Sequence, residues 1–371
     1  MDKDIVEPDV GAAAKAAARA AADGRPELLH PCGAAPGPGE AREIAPGVRW
    51  LRMPMPFKPA HINLWAIEEE NGWTVVDTGL RDAPTIAAWQ ALLDGPLAAP
   101  AGGPALTRVL VTHMHPDHSG MAGWLAETCA CPLWMTRSEY LGCRAMTDIG
   151  AEATPSSIAF YLRAGWNADA VARHHAVHVA IGKLVHPLPE HYRRMVNGEL
   201  FFIGRHAWQV VVGEGHTPEH ACLYCPELKL LIAGDQVLPR ISSNVSVHAD
   251  DPGANPLAHW LASIARLKRL LPDDVLVLPA HDEPFIGLHA RLDYLEASAL
   301  RGLDRLREAL REPRRAVDVF GALYAQTITA DNPVLLGLAT GESLAHLNYL
   351  LCEGDAVVRE DEQGVAWYSL V

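Results

Sequence analysis

The segment RVLVTHMHPDH, residues 108–118, decides how this sequence is interpreted. It opens with a β-branched and apolar run typical of a buried strand and continues directly into a cluster of polar side chains. The members of that cluster that can bind a metal ion are His113, His115, Asp117 and His118. They lie too close together along the chain for one regular strand or helix to direct them at a single ion, whereas a loop that leaves a strand can do so. The segment therefore predicts a metal site where a strand ends.

Three more potential ligands follow apolar, strand-like runs further along the chain. His216 lies in the segment GEGHTPEH (213–220), Asp235 ends a predicted hairpin, and His281 follows a strand predicted at 275–278. Ligands in α/β folds gather at the C-terminal ends of strands, so we expect these residues to join the first cluster. Each alone is more often a hydrogen-bonded core histidine or a capping aspartate. These structural roles are much less able to explain all seven residues occurring together in this order.

The chemistry of these seven side chains indicates which ions the site would take. Histidine nitrogen and carboxylate oxygen are ligands suited to zinc, and they also bind manganese or iron. Seven such groups are enough for two ions that share one carboxylate. Two ions about 3.5–4 Å apart can bridge and ionise a water molecule, which supplies hydroxide at neutral pH. The residue types therefore point to a dinuclear metal centre with hydrolytic chemistry.

The predicted elements around these residues suggest three regions. Residues 1–46 combine an alanine run with a Gly/Pro-rich stretch, which predicts an N-terminal arm and linker. Residues 47–287 alternate strands and helices, which is typical of an α/β domain, and include a predicted helical insertion over 138–196. Residues 288–371 predict helices followed by a hairpin with Gly364 near its turn, an order that resembles a winged-helix module.

The ordered motifs resemble those of a known family. The H-x-H-x-D-H segment, the later Gly-His-Thr, Gly-Asp and Ala-His, and the early Asp77-Thr78-Gly79 turn are similar to the metallo-β-lactamase superfamily over roughly 48–287. This resemblance implies an αββα sandwich, two mixed β-sheets between helices, with the metals at one edge. The C-terminal region is similar to that of the tailed group typified by beta-lactamase-like protein 2, which carries a winged-helix-like module.

The resemblance also implies a role for each ligand. His113, His115 and His216 would hold the first metal, Asp117, His118 and His281 the second, and Asp235 would bridge them. The implied cofactor is two zinc ions, with manganese or iron as alternatives. Flavo-diiron proteins place a glutamate where His115 stands, which argues against that branch, whereas the single-iron persulfide dioxygenases stay open. Asp77 and His220 are expected to orient the ligands from outside through hydrogen bonds.

The implied activity is hydrolysis by a metal-bridging hydroxide, with Asp117 and Asp235 as catalytic residues. We expect the substrate to be an ester, thioester or lactone of a small molecule. Arg240, Asn244 and Tyr192 are candidate substrate contacts, although Arg240 could equally form a surface ion pair. The alternatives are a phosphodiesterase or endoribonuclease, as the tailed group suggests, a non-catalytic metal-binding protein and, as a side possibility, β-lactam cleavage.

Composition narrows the range of partners. The 371 residues include 31 basic and 45 acidic ones, a formal net charge of −14, which disfavours nucleic acid. The helix predicted at 340–352, which would enter a DNA groove, has no Lys or Arg, so a structural role or a homodimer contact is expected instead. No run approaches the ~18 apolar residues of a membrane span, and neither a signal peptide nor a disulfide framework is evident among seven cysteines. These features predict a cytoplasmic protein with no membrane partner.

Overall fold

The computed structural model describes residues 24–99 and 103–371, and most of their strands form two facing sheets. The seven strands of the first sheet, adjacent in chain order, are β1 Ala41–Ala45, β2 Val48–Pro54, β3 His61–Glu69, β4 Gly72–Val76, β5 Leu106–Leu110, β6 Leu133–Met135 and β7 Arg193–Arg194. The five of the second sheet are β8 Leu200–Ile203, β9 His206–Gly213, β10 His220–Cys225, β11 Leu230–Gly234 and β12 Leu276–Pro279. A separate hairpin pairs β13 Ala356–Glu360 with β14 Ala366–Leu370.

Both sheets are mixed. In the first, β1 to β4 pair antiparallel, and β4 to β7 pair parallel. In the second, the order is β12-β11-β10-β9-β8, and only the β11–β12 pair is parallel. Parallel pairs send their carboxyl ends to the same edge, so β5, β11 and β12 can deliver side chains to a common place.

Helices cover the outer face of each sheet. They are α1 Ala83–Asp94, α2 Pro116–Ser119, α3 Ala122–Thr128, α4 Arg137–Thr147, α5 Pro155–Arg163, α6 Ala168–Gly182, α7 Pro256–Leu270, α8 Leu288–Ala309, α9 Phe320–Leu323 and α10 Pro333–Glu353, with a 3₁₀ turn at Ala316–Val319 before α9. None of the helices in the described residues combines the length and apolar character needed to cross a membrane. Helices α4, α5 and α6 lie in the predicted insertion at 138–196, beside β7.

The core has three layers, as the alternation of side chains along β2 illustrates. Val48 and Trp50 face the second sheet and join the apolar cluster between the sheets. Leu51 and Met53 face the other way and pack with α1 and α3. A third cluster lies on the outer face of the second sheet, where α7, α8 and α10 pack. The αββα sandwich expected from the sequence is therefore confirmed.

The predicted N-terminal linker needs correction at its end. Strand β1 lies inside the range 1–46 and pairs with β2 at the edge of the first sheet. Leu29 and Ile286 exchange two backbone hydrogen bonds of 3.3 and 2.9 Å, and Cys32 packs against the core between the sheets. Residues 24–46 are thus part of the folded domain, whereas the alanine run lies outside the described residues.

Candidate metal centre

The loop after β5 brings the first four predicted ligands to one place. Strand β5 ends at Leu110, and Pro116 is the first residue of α2, where its missing N–H costs nothing. Between them the chain turns so that His113 Nε2 lies 2.9 Å from His115 Nδ1. The one-turn helix α2 then presents Asp117 and His118 in succession.

Three other strand ends complete the cluster. Asp235 directly follows β11, and His216 and His281 follow β9 and β12 within three residues. These seven side chains, separated by up to 168 positions, form two groups. Within each group, the candidate ligand atoms all lie within 4.8 Å of one another. The first group is His113, His115, His216 and Asp235, and the second is Asp117, His118 and His281. The structure thus brings together all seven residues that the sequence singled out.

Asp235 lies between the two groups, with one carboxylate oxygen toward each. Its Oδ1 is 3.5 Å from both His118 Nε2 and His281 Nε2, and its Oδ2 is 3.5 Å from His216 Nε2. These distances are too long for good hydrogen bonds. Two ligands about 2.0–2.1 Å from one tetrahedral zinc ion are about 3.3–3.4 Å apart, so the spacing suits atoms that share a cation.

Unpaired polar atoms support the same interpretation. His118 Nε2, His216 Nε2 and Asp235 Oδ1 are buried and have no hydrogen-bond partner among the described residues. An unsatisfied buried polar group costs about 1–3 kcal/mol, and three such atoms facing one another would be expensive without a ligand. Cations held by the two groups would satisfy all three, so the donor set fits a metal centre.

Hydrogen bonds to the opposite ring nitrogens fix the orientation of the ligand histidines. His118 Nδ1 is 2.8 Å from Asp77 Oδ2, which also accepts from the Thr112 hydroxyl. His216 Nδ1 donates to the carbonyl of Asn244 at 2.7 Å, and His281 Nδ1 donates to the carbonyl of His61 at 2.9 Å. Such contacts select the tautomer that leaves Nε2 free to bind a metal. Asp77 therefore lies against a predicted ligand, and its role in orienting that ligand stays a prediction.

His220 contacts two of the predicted ligands, Asp235 and His113. Its Nε2 accepts a 3.1 Å hydrogen bond from the backbone N–H of Asp235, and its ring stacks on His113 with centroids 4.7 Å apart. Burial, reinforced by the neighbouring His216, lowers the pKa of His220 well below its usual value. The neutral ring can therefore accept this hydrogen bond from the Asp235 backbone, and a supporting role for His220 stays a prediction.

The carboxylates of the cluster favour positive charge around them. Burial opposes charge on His118, yet Asp77, Asp117 and Asp235 raise its pKa well above the usual value. Burial also opposes charge on His281, and Asp235 and Asp117 nevertheless raise its pKa to about 8. Conversely, burial would raise the pKa of Asp235, but His281 and His118 lower it well below normal. The carboxylates thus stabilise positive charge at His118 and His281, whether protons or metal ions carry it.

Glu139, a buried residue of α4, joins two ligand loops and was not predicted from the sequence. Its Oε2 accepts from the backbone N–H of Met114 at 2.9 Å, and its Oε1 accepts from that of Glu219 at 2.8 Å. Burial raises the pKa of this carboxyl group, while the backbone donors oppose the change. In the sequence, Glu139 is an ordinary acidic residue in the first turn of a helix. Only the tertiary structure therefore reveals its contacts with Met114 and Glu219.

Replacing Glu139 with Ala is expected to lower the free energy of unfolding by about 2–4 kcal/mol, because two buried backbone N–H groups lose their acceptor. Glu139→Gln, which keeps one acceptor oxygen, should lose less. Urea unfolding of both variants tests this, with the exposed Glu152→Ala as the control from the same insertion. Equal stability of Glu139→Ala and Glu152→Ala would contradict the role.

The three candidate substrate contacts lie in different surroundings. Arg240 forms an exposed ion pair with Glu283 at 2.8 Å, the alternative that the sequence left open. Tyr192 stacks on Tyr140 with ring centroids 3.8 Å apart. Asn244 alone of the three contacts a ligand, through its backbone carbonyl, and its side chain is engaged elsewhere. A substrate contact by any of them stays a prediction.

The histidines of the insertion do not join the cluster. His174 lies between Tyr161, whose hydroxyl is 2.8 Å from Nε2, and the carbonyl of Pro333, 3.0 Å from Nδ1. Neither it nor His178 belongs to the two candidate metal groups of the described residues. His174 packs the insertion against α10, and His178 packs on His174, which agrees with their exclusion from the predicted site.

Comparison with protein families gives two matches along the chain. The family model of the metallo-beta-lactamase superfamily matches residues 58–281. The model of the metallo-beta-lactamase-like C-terminal domain matches residues 303–371. The first match covers more than half of the chain and includes every predicted ligand.

Solved structures and curated sequences include similar proteins. A beta-lactamase domain protein from Burkholderia ambifaria is 37% identical, with a TM-score of 0.84 over 93% of this chain and 98% of that one. A metallo-beta-lactamase family protein from Thermus thermophilus is 26% identical, with a TM-score of 0.74 over 89% of this chain and 100% of that one. An uncharacterized protein from Aquifex aeolicus is 27% identical over 195 residues, 52% of this chain and 77% of that one.

Proposed function

Because this chain belongs to the metallo-β-lactamase superfamily and is a metal-dependent hydrolase, we propose that it uses two zinc ions to cleave an ester, thioester or lactone of a small molecule. The observation that carries this proposal is the position of Asp235, which has one carboxylate oxygen toward each of two ligand groups. Five histidines among seven ligands favour zinc or iron over manganese, which prefers oxygen.

The bound ions would act as Lewis acids and lower the pKa of a shared water molecule to about 7. The residues of the chain supply the arrangement. Asp117 Oδ2 lies 3.4 Å from His281 Nε2 and 3.7 Å from His118 Nε2, and the carboxylate is partly exposed. Burial would raise its pKa, but His118 and His281 lower it, so Asp117 stays ionised and can orient a nucleophile by accepting a hydrogen bond.

The charges around the site favour an uncharged electrophile over a phosphate ester. Asp117 and Asp235 already contribute two carboxylates, and Asp282 and Glu283 follow the ligand His281. Arg240, the basic residue proposed from the sequence as an anion contact, is paired with Glu283. The net charge of −14 disfavours the approach of anionic substrates to the protein, and two zinc ions would offset the carboxylates only close to the metals.

We also propose that residues 288–371 form a winged-helix-like module with a structural role, attached to a metallo-β-lactamase domain that ends at residue 287. The order of helices followed by the β13–β14 hairpin supports the first part. The absence of Lys and Arg from α10 supports a role other than binding nucleic acid.

A substrate panel tests the proposed activity. Chromogenic esters, thioesters, lactones and phosphodiesters should be assayed with metal-free protein and with protein reloaded with zinc, manganese or iron. We expect zinc-loaded protein to hold about two ions per chain and to cleave a carboxylic ester, thioester or lactone at least about tenfold faster than any phosphodiester, which corresponds to about 1.4 kcal/mol. Preferred cleavage of phosphodiesters, or salt-sensitive cleavage of RNA, would overturn the substrate class in favour of a phosphodiesterase.

A further inference from the structure

The C-terminal helix α10 packs directly against the loop of residues 243–248, which follows Asp235. The close approach depends on Gly341, since a Cβ at this position would lie 2.6 Å from Ser246 Oγ and 3.0 Å from the carbonyl oxygen of Val247. The N–H of Val247 donates to the carbonyl of Gly341 at 3.0 Å. The 243–248 loop is therefore fixed to the helix by both packing and backbone hydrogen bonding.

A chain of hydrogen bonds links this helix to a ligand histidine. The Tyr324 hydroxyl donates to Glu342 Oε2 at 2.6 Å, and Asn244 Nδ2 donates to the same oxygen at 3.1 Å. The backbone carbonyl of Asn244 then accepts from His216 Nδ1 at 2.7 Å. Three short contacts thus connect the C-terminal region with the metal centre.

The geometry gives Glu342 a function beyond helix packing. The Asn244 carbonyl selects the His216 tautomer that leaves Nε2 unprotonated, and that nitrogen lies 3.5 Å from Asp235 Oδ2 without a hydrogen-bond partner among the described residues. The position of this carbonyl depends on what holds the Asn244 side chain. Its amide nitrogen donates to Glu342 Oε2 at 3.1 Å and, at 3.4 Å, to the carbonyl of Leu338, while its Oδ1 accepts from the Ser246 hydroxyl. A partly buried carboxylate is costly unless donors satisfy it, and both donors to Oε2 belong to this chain of contacts.

We propose that Glu342 is a positioning residue for the metal centre, acting through Asn244 to hold His216 in the orientation that binds a metal ion. This inference rests on the proposed function only in taking His216 as a ligand. The C-terminal region would then contribute to the metal centre through its contact with the 243–248 loop.

Cobalt binding tests this role without a substrate. Co²⁺ is titrated into the metal-free full-length protein, and its affinity is measured by competition with a chelating dye while the visible spectrum reports ligand geometry. Glu342→Ala is expected to weaken Co²⁺ binding about 3–10-fold, less than the 10–100-fold typical of residues that contact a ligand directly, and to alter the spectrum. Glu342→Gln retains an acceptor oxygen and should restore binding to within about twofold.

The controls separate positioning from folding. Glu353→Ala changes an exposed glutamate at the end of the same helix and should match the wild type. Thermal unfolding of each metal-free variant shows whether stability has changed, and a purely structural role would lower the Tm without altering the cobalt spectrum. Wild-type affinity and spectrum in Glu342→Ala, or equal losses in the Ala and Gln variants, would overturn the proposal while the proposed function stands. A wild-type protein that binds no Co²⁺ would overturn both.

Discussion

Asp235→Ala lowers the turnover of the best panel substrate by at least about 10³-fold, equivalent to about 4 kcal/mol of transition-state stabilisation. The reason is geometric, because this carboxylate faces His118 and His281 with one oxygen and His216 with the other. Its removal takes one member from the first ligand group and removes the carboxylate that faces His118 and His281 of the second. The buried histidines would then repel one another when charged, so metal affinity should fall together with activity.

Metal content and kinetics of the purified variant test this expectation. Asp235→Asn keeps one oxygen but loses the negative charge, so it should retain more metal than the Ala variant and still lose most activity. Asp94→Ala, at the exposed end of α1, is the matched control and should leave both quantities unchanged. An Asp235→Ala protein with most of the wild-type turnover would remove Asp235 from the catalytic machinery.

The ligand set was predictable because each residue carries a strong local signal. A potential metal ligand follows each of β5, β9, β11 and β12 within three residues, as at His113 after β5 and His281 after β12. Strand ends of an α/β sheet meet at one edge, so the order of strands and polar loops was enough to predict convergence. The same logic predicted the supporting position of Asp77, which follows β4.

The N-terminal boundary was harder to predict because β1 is a weak strand on its own. Its sequence AREIA is short, contains Arg42 and Glu43, and follows a Gly/Pro-rich stretch, all of which favour a linker. The strand forms because it pairs with β2 at the sheet edge, and charged residues are common on such edges. This pairing overrides the low strand propensity of residues 41–45. It could not be predicted from the amino-acid composition of that segment.

The contacts of Glu139 and Glu342 with the ligand loops were not predictable because their partners are distant in sequence. Glu139 contacts Glu219, which is 80 positions away, and Asn244 contacts Glu342, which is 98 positions away. A single acidic residue in a helix has no periodicity or motif that would identify a partner so far along the chain. Side-chain contacts that support a site therefore require the fold, whereas the ligands themselves do not.

Gly215, the residue before the ligand His216, is a position where one added methyl group should disrupt the site. Its φ of +106° lies in the left-handed region that side chains other than glycine disfavour. A Cβ there would lie 2.6 Å from Trp260 Cβ and 2.7 Å from the Trp260 backbone, inside helix α7. Helix backbone cannot move away cheaply, so Gly215→Ala must displace the loop that carries His216.

We expect Gly215→Ala to lower the free energy of unfolding by about 3 kcal/mol or more, since backbone strain and overpacking each contribute about 1–3 kcal/mol. Urea unfolding of the metal-free protein measures this loss, and cobalt titration should show weakened binding because His216 moves. Gly253→Ala is the matched control just before the same helix, where a Cβ meets nothing within 4 Å and φ is not in the left-handed region. That control should be neutral or slightly stabilising. If the two variants were equally stable, the loop would tolerate the methyl group, and the tight packing of the His216 loop on α7 would not be needed to hold the ligand.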